Sequence, residues 1–300
     1  MLEYQNVTIH RRKKKIVDNF SIRIEEGSIF GLLGSDISAK SAILQAAAGL
    51  IRPSMGRIFL NDQNILSSDT TYLETGYMSY KKQFYEQVTV EEYLEFFLAL
   101  YKVNGRYRGR RVDEVLDLLE MSAYRSYFIS ELPSELRSFL ALGQAIIHEP
   151  SWLFMDDPFG EMPVTMRKKM VDTIGMLWEG GITPVISSQP YPELMSLITE
   201  LAVVEGGQMM SSGTFDSVYE EALRQSPIRM RVMSGMDEAI RVLRENPLVE
   251  RVTVNGEDVI LLFTGGDSEE AQLLSQLIQS GALVHHFMRD PMDLDQILWR

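Results

Sequence analysis

Residues 28–50 read SIFGLLGSDISAKSAILQAAAGL. The apolar run at 29–33 has the length and composition of a short buried strand, the residues from Gly34 to Ala39 read as a loop, and a helix is expected to open at Lys40 and Ser41. This is the layout of a phosphate-binding loop. There, backbone N–H groups of a tight turn and of a helix N-terminus point at a phosphate, a lysine brings a point charge to the outer phosphates, and a Ser/Thr hydroxyl reaches Mg²⁺. The pattern G-x-x-x-x-G-K-[ST] is met by Gly34, Lys40 and Ser41, with Ser35 inside the loop, but Ala39 stands at its second glycine. A strand–turn–helix with a merely solvated lysine fits the same residues.

The rest of the chain narrows the choice. Its 300 residues suffice for one large domain and a smaller one. Cysteine is absent, which rules out a disulfide framework and suits a reducing compartment. The N-terminus MLEYQNVTIH lacks the layout of a signal peptide, and no apolar run nears the roughly 18–20 residues that span a bilayer. The formal net charge of −13 argues against general attraction to nucleic acid or to anionic lipid, so membrane association is expected to run through a protein partner. The one basic run, RRKKK at 11–15, lies between two strand-like stretches and reads as a charged surface turn, with a nucleotide-facing loop as the alternative.

In chain order, short strands fill 2–33 and another spans 57–60. A helical region follows at about 85–148, in which Thr89 and Glu92 form a capping box ahead of an apolar-faced helix. The stretch SWLFMDDP at 151–158 is apolar until its two aspartates, as expected of a parallel strand buried on both faces whose carboxylates emerge at the C-terminal edge of the sheet. A helix at about 163–179 and an apolar strand ending before Gln189 come next. From 227 the pattern changes to a βαββαβ succession with a last short helix, which sets a domain boundary near 224/225.

Several phrases together carry a family resemblance: GLLG at 31–34, AGLIRPSMGRIFLND at 48–62, QVTVEEYLEFF at 87–97, IIHEPSWLFMDDP at 146–158 and VVEGGQMMSSG at 203–213. Over about 2–222 the chain resembles the ATP-binding subunit of an ABC transporter, nearest in look to the bacterial exporter type. The resemblance implies an α/β fold: a P-loop NTPase-type nucleotide-binding domain (1–224) with a helical insertion, followed by a small α+β, ferredoxin-like domain (225–300). It also implies ATP and Mg²⁺ as ligands, a membrane permease as partner, a homodimer or a heterodimer with another ATP-binding subunit, no nucleic acid, and a cytoplasmic site peripheral to the membrane.

Position by position, the resemblance assigns nucleotide binding to Gly34, Ser35, Ala39, Lys40 and Ser41, and Mg²⁺ to Ser41 and Asp156. Asp157 stands where the family has a catalytic glutamate and Gln189 where it has a switch histidine; Tyr80 takes the place of a sensing glutamine. The signature that faces a partner's nucleotide has become Leu132, Pro133, Ser134, Glu135 and Leu136, and an adenine-stacking aromatic falls near Arg11. Phe84 and Tyr85 are expected at the permease contact. An intact Mg-nucleotide cradle with a depleted hydrolytic set implies a subunit that binds ATP weakly and hydrolyses it little. A working ATPase motor and a soluble adaptor without nucleotide are the alternatives.

Overall fold

The computed structural model describes residues 1–67, 70–81, 83–160 and 162–289, and of 222–225 the backbone alone. The chain forms two compact units, Met1–Phe215 and Asp216–Arg300.

In the first unit, β1 (Leu2–Arg11), β2 (Lys14–Ile24), β3 (Phe30–Leu33) and α1 (Ile37–Ala47) precede β4 (Met55–Leu60), β5 (Gln63–Asn64), α2 (Thr71–Glu74) and β6 (Thr75–Met78). The expected helical insertion lies between β6 and β7 and comprises α3 (Val90–Leu100), α4 (Gly105–Leu118) and α5 (Ser134–Ile146). The Thr89 hydroxyl accepts from the Glu92 amide while the Glu92 carboxylate accepts from the Thr89 amide, so α3 opens on the expected capping box. Then come β7 (Trp152–Asp156), α6 (Val164–Glu179), β8 (Thr183–Ser187), α7 (Pro192–Met195), β9 (Glu200–Glu205) and β10 (Gln208–Thr214).

These strands make two sheets. One is antiparallel, in the order β2-β1-β4-β5; the other runs β10-β9-β3-β8-β7-β6 and is parallel except for β10. Every residue of β3, β7 and β8 is buried, which explains their near-continuous apolar runs. Helix α1 lays Ile43, Leu44 and Ala47 against Leu32, Phe154, Val185 and Ala202 of the parallel sheet. Burial of each large apolar side chain there is worth about 1.5–3 kcal/mol. The register pairs Leu32 of β3 and Asp156 of β7 with Ser187 of β8, so the ends of three strands meet at one edge.

The second unit begins within α8 (Phe215–Gln225), whereas the sequence reading sets the boundary at that helix's end. It continues with β11 (Ile228–Ser234), α9 (Met236–Glu245), β12 (Val249–Asn255), β13 (Asp258–Phe263), α10 (Asp267–Gln279) and β14 (Leu283–Arg289). The strands form one antiparallel sheet in the order β12-β13-β11-β14, over a core that includes Met230, Leu261, Leu243 and Leu273. The short helix expected at the C-terminus lies outside the described residues.

Candidate functional site

The strand edge and the start of α1 build the site. Gly34 follows β3 at φ +130°, and a Cβ there would lie 1.9 Å from the Val204 carbonyl oxygen. Only glycine lets the loop pass that close to β9. The next turn corrects the sequence reading. Helix α1 opens at Ile37 rather than at Lys40, because Asp36 caps it: its Oδ1 accepts from the Ala39 amide at 3.0 Å. Aspartate is among the strongest N-caps, and its carboxylate satisfies an amide that would otherwise have no partner in the helix. Ala39 therefore lies inside the first helical turn, buried and without positive φ, so the strain expected of a methyl group in a tight loop does not arise. Ser35 is exposed at the loop's outer face.

Lys40 is only 3 % exposed, and its ammonium donates to the Ser188 carbonyl oxygen at 2.8 Å. Burial pulls its pKa down to about 8, against the opposing pull of Asp157, Asp156 and Asp36. Three carboxylates thus surround one buried cation. Asp156, the last residue of β7, is 1 % exposed, and its Oδ2 accepts from the Tyr77 hydroxyl at 3.1 Å. Burial raises the Asp156 pKa, while the hydroxyls of Ser41, Tyr77 and Ser187 and the charge of Lys40 pull it back. Its Oδ1 is buried without a hydrogen-bond partner among the described residues. A buried carboxylate oxygen lacking a donor, with the Ser41 hydroxyl close by, fits a hard cation such as Mg²⁺, which commonly takes one or two protein carboxylates and completes its shell with phosphate and water.

Asp157 follows in the left-handed region at φ +48°, a conformation aspartate tolerates better than most residues. Its amide donates to the Ser187 carbonyl at 2.9 Å. Its carboxylate folds onto the next loop, since a Cβ on Gly160 would lie 2.3 Å from Asp157 Oδ2. Gln189 is exposed just beyond Ser188. Tyr80 is 44 % exposed, and the tyrosine that meets Asp156 is Tyr77, three residues earlier. Tyr77 is fixed in turn by Gln45 of α1, whose Nε2 donates to its hydroxyl at 3.3 Å.

The remaining expected residues lie on the helical insertion and its approach. Pro133 is the N-cap of α5 and Ser134 its first residue, with Leu132 and Leu136 buried on either side. The Ser134 hydroxyl donates to the Glu135 carboxylate at 3.0 Å, which puts an acid in the first turn of α5. Phe84 packs 5.6 Å from Tyr93, and Tyr85 packs edge-on to Phe96 at 5.8 Å. Tyr85 and Phe96 remain 62 % and 44 % exposed.

Sequence reading missed Asp36, Tyr77 and Ser188. Asp36 carried a usable signal, an N-cap residue three positions before the amide it caps. The other two act through strand register or a backbone carbonyl, which no motif records.

Residues 17–160 match the family described as ABC transporter. The first unit has the ABC ATPase fold, and over this stretch the chain is similar to ABC transporter ATP-binding domains. The chain is 28 % identical over 211 residues to the "Probable sulfate/thiosulfate import ATP-binding protein CysA" of Chlorella vulgaris, covering 70 % of this chain and 89 % of that one. It is 26 % identical over 281 residues to the "Sulfate/thiosulfate import ATP-binding protein CysA" of Synechocystis sp., covering 88 % and 78 %. Among solved structures, the dimeric post-hydrolysis state of the ATP-binding cassette MJ0796 bound to ADP and Pi superposes with a TM-score of 0.65 at 18 % identity, covering 71 % of this chain and 98 % of that one. The last likeness shows the ABC fold. These two relatives are named as import proteins, and a third, 27 % identical over 206 residues (68 % of this chain and 36 % of that one), is the "Probable multidrug ABC transporter ATP-binding protein YbhF" of Escherichia coli.

Proposed function

We propose that this chain is the ATP-binding subunit of an ABC transporter, docked on a membrane permease, which binds Mg-ATP weakly and hydrolyses it little. The observation that carries the reading is the charge arrangement at α1. Lys40 is buried and ready to meet phosphate, but the Asp36 carboxylate already sits on the Ala39 amide at the helix N-terminus. A triphosphate must enter against that carboxylate as well as Asp156 and Asp157.

Lys40 would hold the phosphates, and Ser41 with Asp156 the Mg²⁺, whose bound charge offsets the surrounding carboxylates. Asp157 takes the place of the general base with a side chain one methylene shorter than glutamate, and Gln189 can donate a hydrogen bond to phosphate but brings no charge. Glu135 at the start of α5 repels a partner's triphosphate. These features favour a structural or regulatory half of the assembly, in a homodimer or beside an intact subunit. The exposed aromatics Tyr85 and Phe96 suit the permease contact, and a permease would hold the chain at the cytoplasmic face. No helix among the described residues is long and apolar enough to cross a membrane.

A second reading, a working motor, is favoured by one observation: Asp157 is the carboxylate acting most strongly on Lys40, so a base stands beside the phosphate lysine. A calorimetric titration of Mg-ATP, followed by turnover with the permease, separates the two. Weak binding abolished by Lys40→Ala, with negligible turnover, is expected. Turnover at the rate of an intact cassette supports the motor, and no binding at millimolar Mg-ATP leaves an adaptor.

A further inference from the structure

Asp156 uses its two carboxylate oxygens differently. Its Oδ2 accepts from the Tyr77 hydroxyl at 3.1 Å, while its Oδ1 is buried without a hydrogen-bond partner among the described residues. Strand register sets this contact. Tyr77 of β6 pairs with Phe154 of β7, two positions before Asp156. Alternate residues of a strand share a face, and two positions span about 6.6 Å. A phenol covers that distance, and a shorter polar side chain at 77 would not.

The phenol is fixed at both ends. Its ring packs against the core that contains Phe154 and Ile43. Its hydroxyl accepts from Gln45 Nε2 at 3.3 Å. A hydroxyl carries one proton, and with Gln45 donating to its oxygen, that proton goes to the carboxylate. The line from Gln45 through Tyr77 to Asp156 therefore runs from donor to acceptor in one direction and ends on Oδ2. A neutral donor thus sets the orientation of the carboxylate before any cation arrives. Oδ1, with the Ser41 hydroxyl close to the same carboxylate, is the oxygen left to meet one.

Ligation through one oxygen discriminates between hard cations. Mg²⁺ demands near-octahedral geometry at about 2.0–2.1 Å and takes one or two carboxylates, whereas Ca²⁺ sits at about 2.3–2.6 Å among about six to eight oxygens and readily takes both oxygens of one carboxylate. We infer that Tyr77 is a positioning residue that confines Asp156 to one-oxygen ligation and so favours Mg²⁺ over Ca²⁺ as the cation bound with the nucleotide. The inference rests on the reading of Asp156 as the cation's carboxylate and adds to it the group that sets its selectivity.

The test is a pair of calorimetric titrations, Mg-ATP and Ca-ATP, into the full chain and three variants, read as the ratio of the two dissociation constants. Hydrogen-bond partners of metal ligands are worth about 10–100-fold in metal affinity, so the parent chain is expected to prefer Mg-ATP by about fivefold or more, and Tyr77→Phe to lower that preference by about threefold or more. Gln45→Leu keeps the phenol but releases its hydroxyl. It is expected to move the ratio the same way by a smaller factor, and it carries the test alone if Tyr77→Phe does not fold. Asp156→Asn is expected to remove the preference. A tyrosine held only for packing would weaken both complexes equally and leave the ratio where it was. An unchanged ratio in Tyr77→Phe, with the preference lost in Asp156→Asn, overturns the inference and leaves the reading of Asp156 standing. A preference that survives Asp156→Asn, or binding of neither complex at millimolar concentration, overturns both.

Discussion

The Asp36 carboxylate accepts a hydrogen bond from the Ala39 amide at 3.0 Å, so the helix N-terminus beside Lys40 is capped by an anion of the chain itself. A carboxylate there contributes about 0.3–1 kcal/mol through the helix dipole and opposes a second anion by a similar amount. Asp36→Asn keeps a good cap and removes the charge. Mg-ATP is expected to bind about fivefold tighter to this variant, with stability changed by less than about 0.5 kcal/mol. Asp36→Ala, which loses the cap, is expected to cost about 1 kcal/mol in chemical denaturation. Adding Lys40→Ala to Asp36→Asn should erase the gain. A gain that survives it would put the bound phosphates elsewhere, and an unchanged affinity in Asp36→Asn would mean that the loop does not meet phosphate.

The pH response of binding follows from Lys40, whose pKa falls from 10.5 to about 8 on burial. The folded chain therefore loses this charge as pH rises through about 8, while the unfolded chain keeps it to about 10.5. Between those values the unfolded state holds more protons, so the Lys40 contribution to stability improves with rising pH. Phosphate binding runs the other way. Mg-ATP affinity is expected to fall about tenfold between pH 7 and pH 9, following the protonated fraction of a group with a pKa of about 8. Lys40→Arg, charged throughout this range, should leave the affinity of the variant flat. A flat profile in the parent chain would remove Lys40 from the binding step.

What the sequence reveals of this site depends on whether a residue acts through its type or through its place. Lys40, Ser41 and Asp156 are legible because a charge, a hydroxyl and a carboxylate at set distances from apolar strands state their chemistry directly. The parallel sheet is legible for the same reason: β7 and β8 are buried on both faces and read as unbroken apolar runs. Tyr77 was hidden because its partner is set by pairing between strands, with Tyr77 opposite Phe154 and two positions short of Asp156 in the register. The family resemblance instead singles out Tyr80, which is exposed. The start of α1 was misjudged because the loop was measured against a phosphate-binding pattern, while the local preference of aspartate for the N-cap decided it.

Asp156 carries a stability penalty, which its proposed role in holding Mg²⁺ would account for. Its pKa is raised, chiefly by burial, so its contribution to folding is most favourable at low pH and is lost as pH rises through the raised value. At neutral pH the chain folds with a costly buried carboxylate whose Oδ1 lacks a donor among the described residues. Asp156→Asn removes the charge and can still accept from the Tyr77 hydroxyl. It is expected to raise the melting midpoint of the nucleotide-free chain by about 2–4 °C, the shift of about 1 kcal/mol in a domain of this size. The same variant should lose the extra thermal shift that Mg²⁺ gives in the presence of ATP. A lower midpoint, or a Mg²⁺-dependent shift that survives, would show that Asp156 is held for packing rather than for the cation.

The last relationship concerns reach. The Asp157 carboxylate folds against Gly160, so it lies along the chain after β7 rather than extending from the strand end. Asp157→Glu adds one methylene and lets a carboxylate project further toward a water beside the phosphate that Lys40 is proposed to hold. General bases contribute about 10²–10⁴-fold, and recovering part of that corresponds to about a tenfold rise in ATP turnover. The substitution should also destabilise the chain by about 1 kcal/mol, because Asp157 sits at φ +48°, where glutamate is less at ease than aspartate. Turnover with the permease present and a denaturation curve measure the two effects on one protein. A tenfold gain with a small stability loss makes the short side chain the brake on hydrolysis. Unchanged turnover with the expected stability loss would move the brake elsewhere, to Gln189 or to the Glu135 carboxylate of the opposing subunit in a homodimer, and Gln189→His and Glu135→Gly then become the variants that restore it.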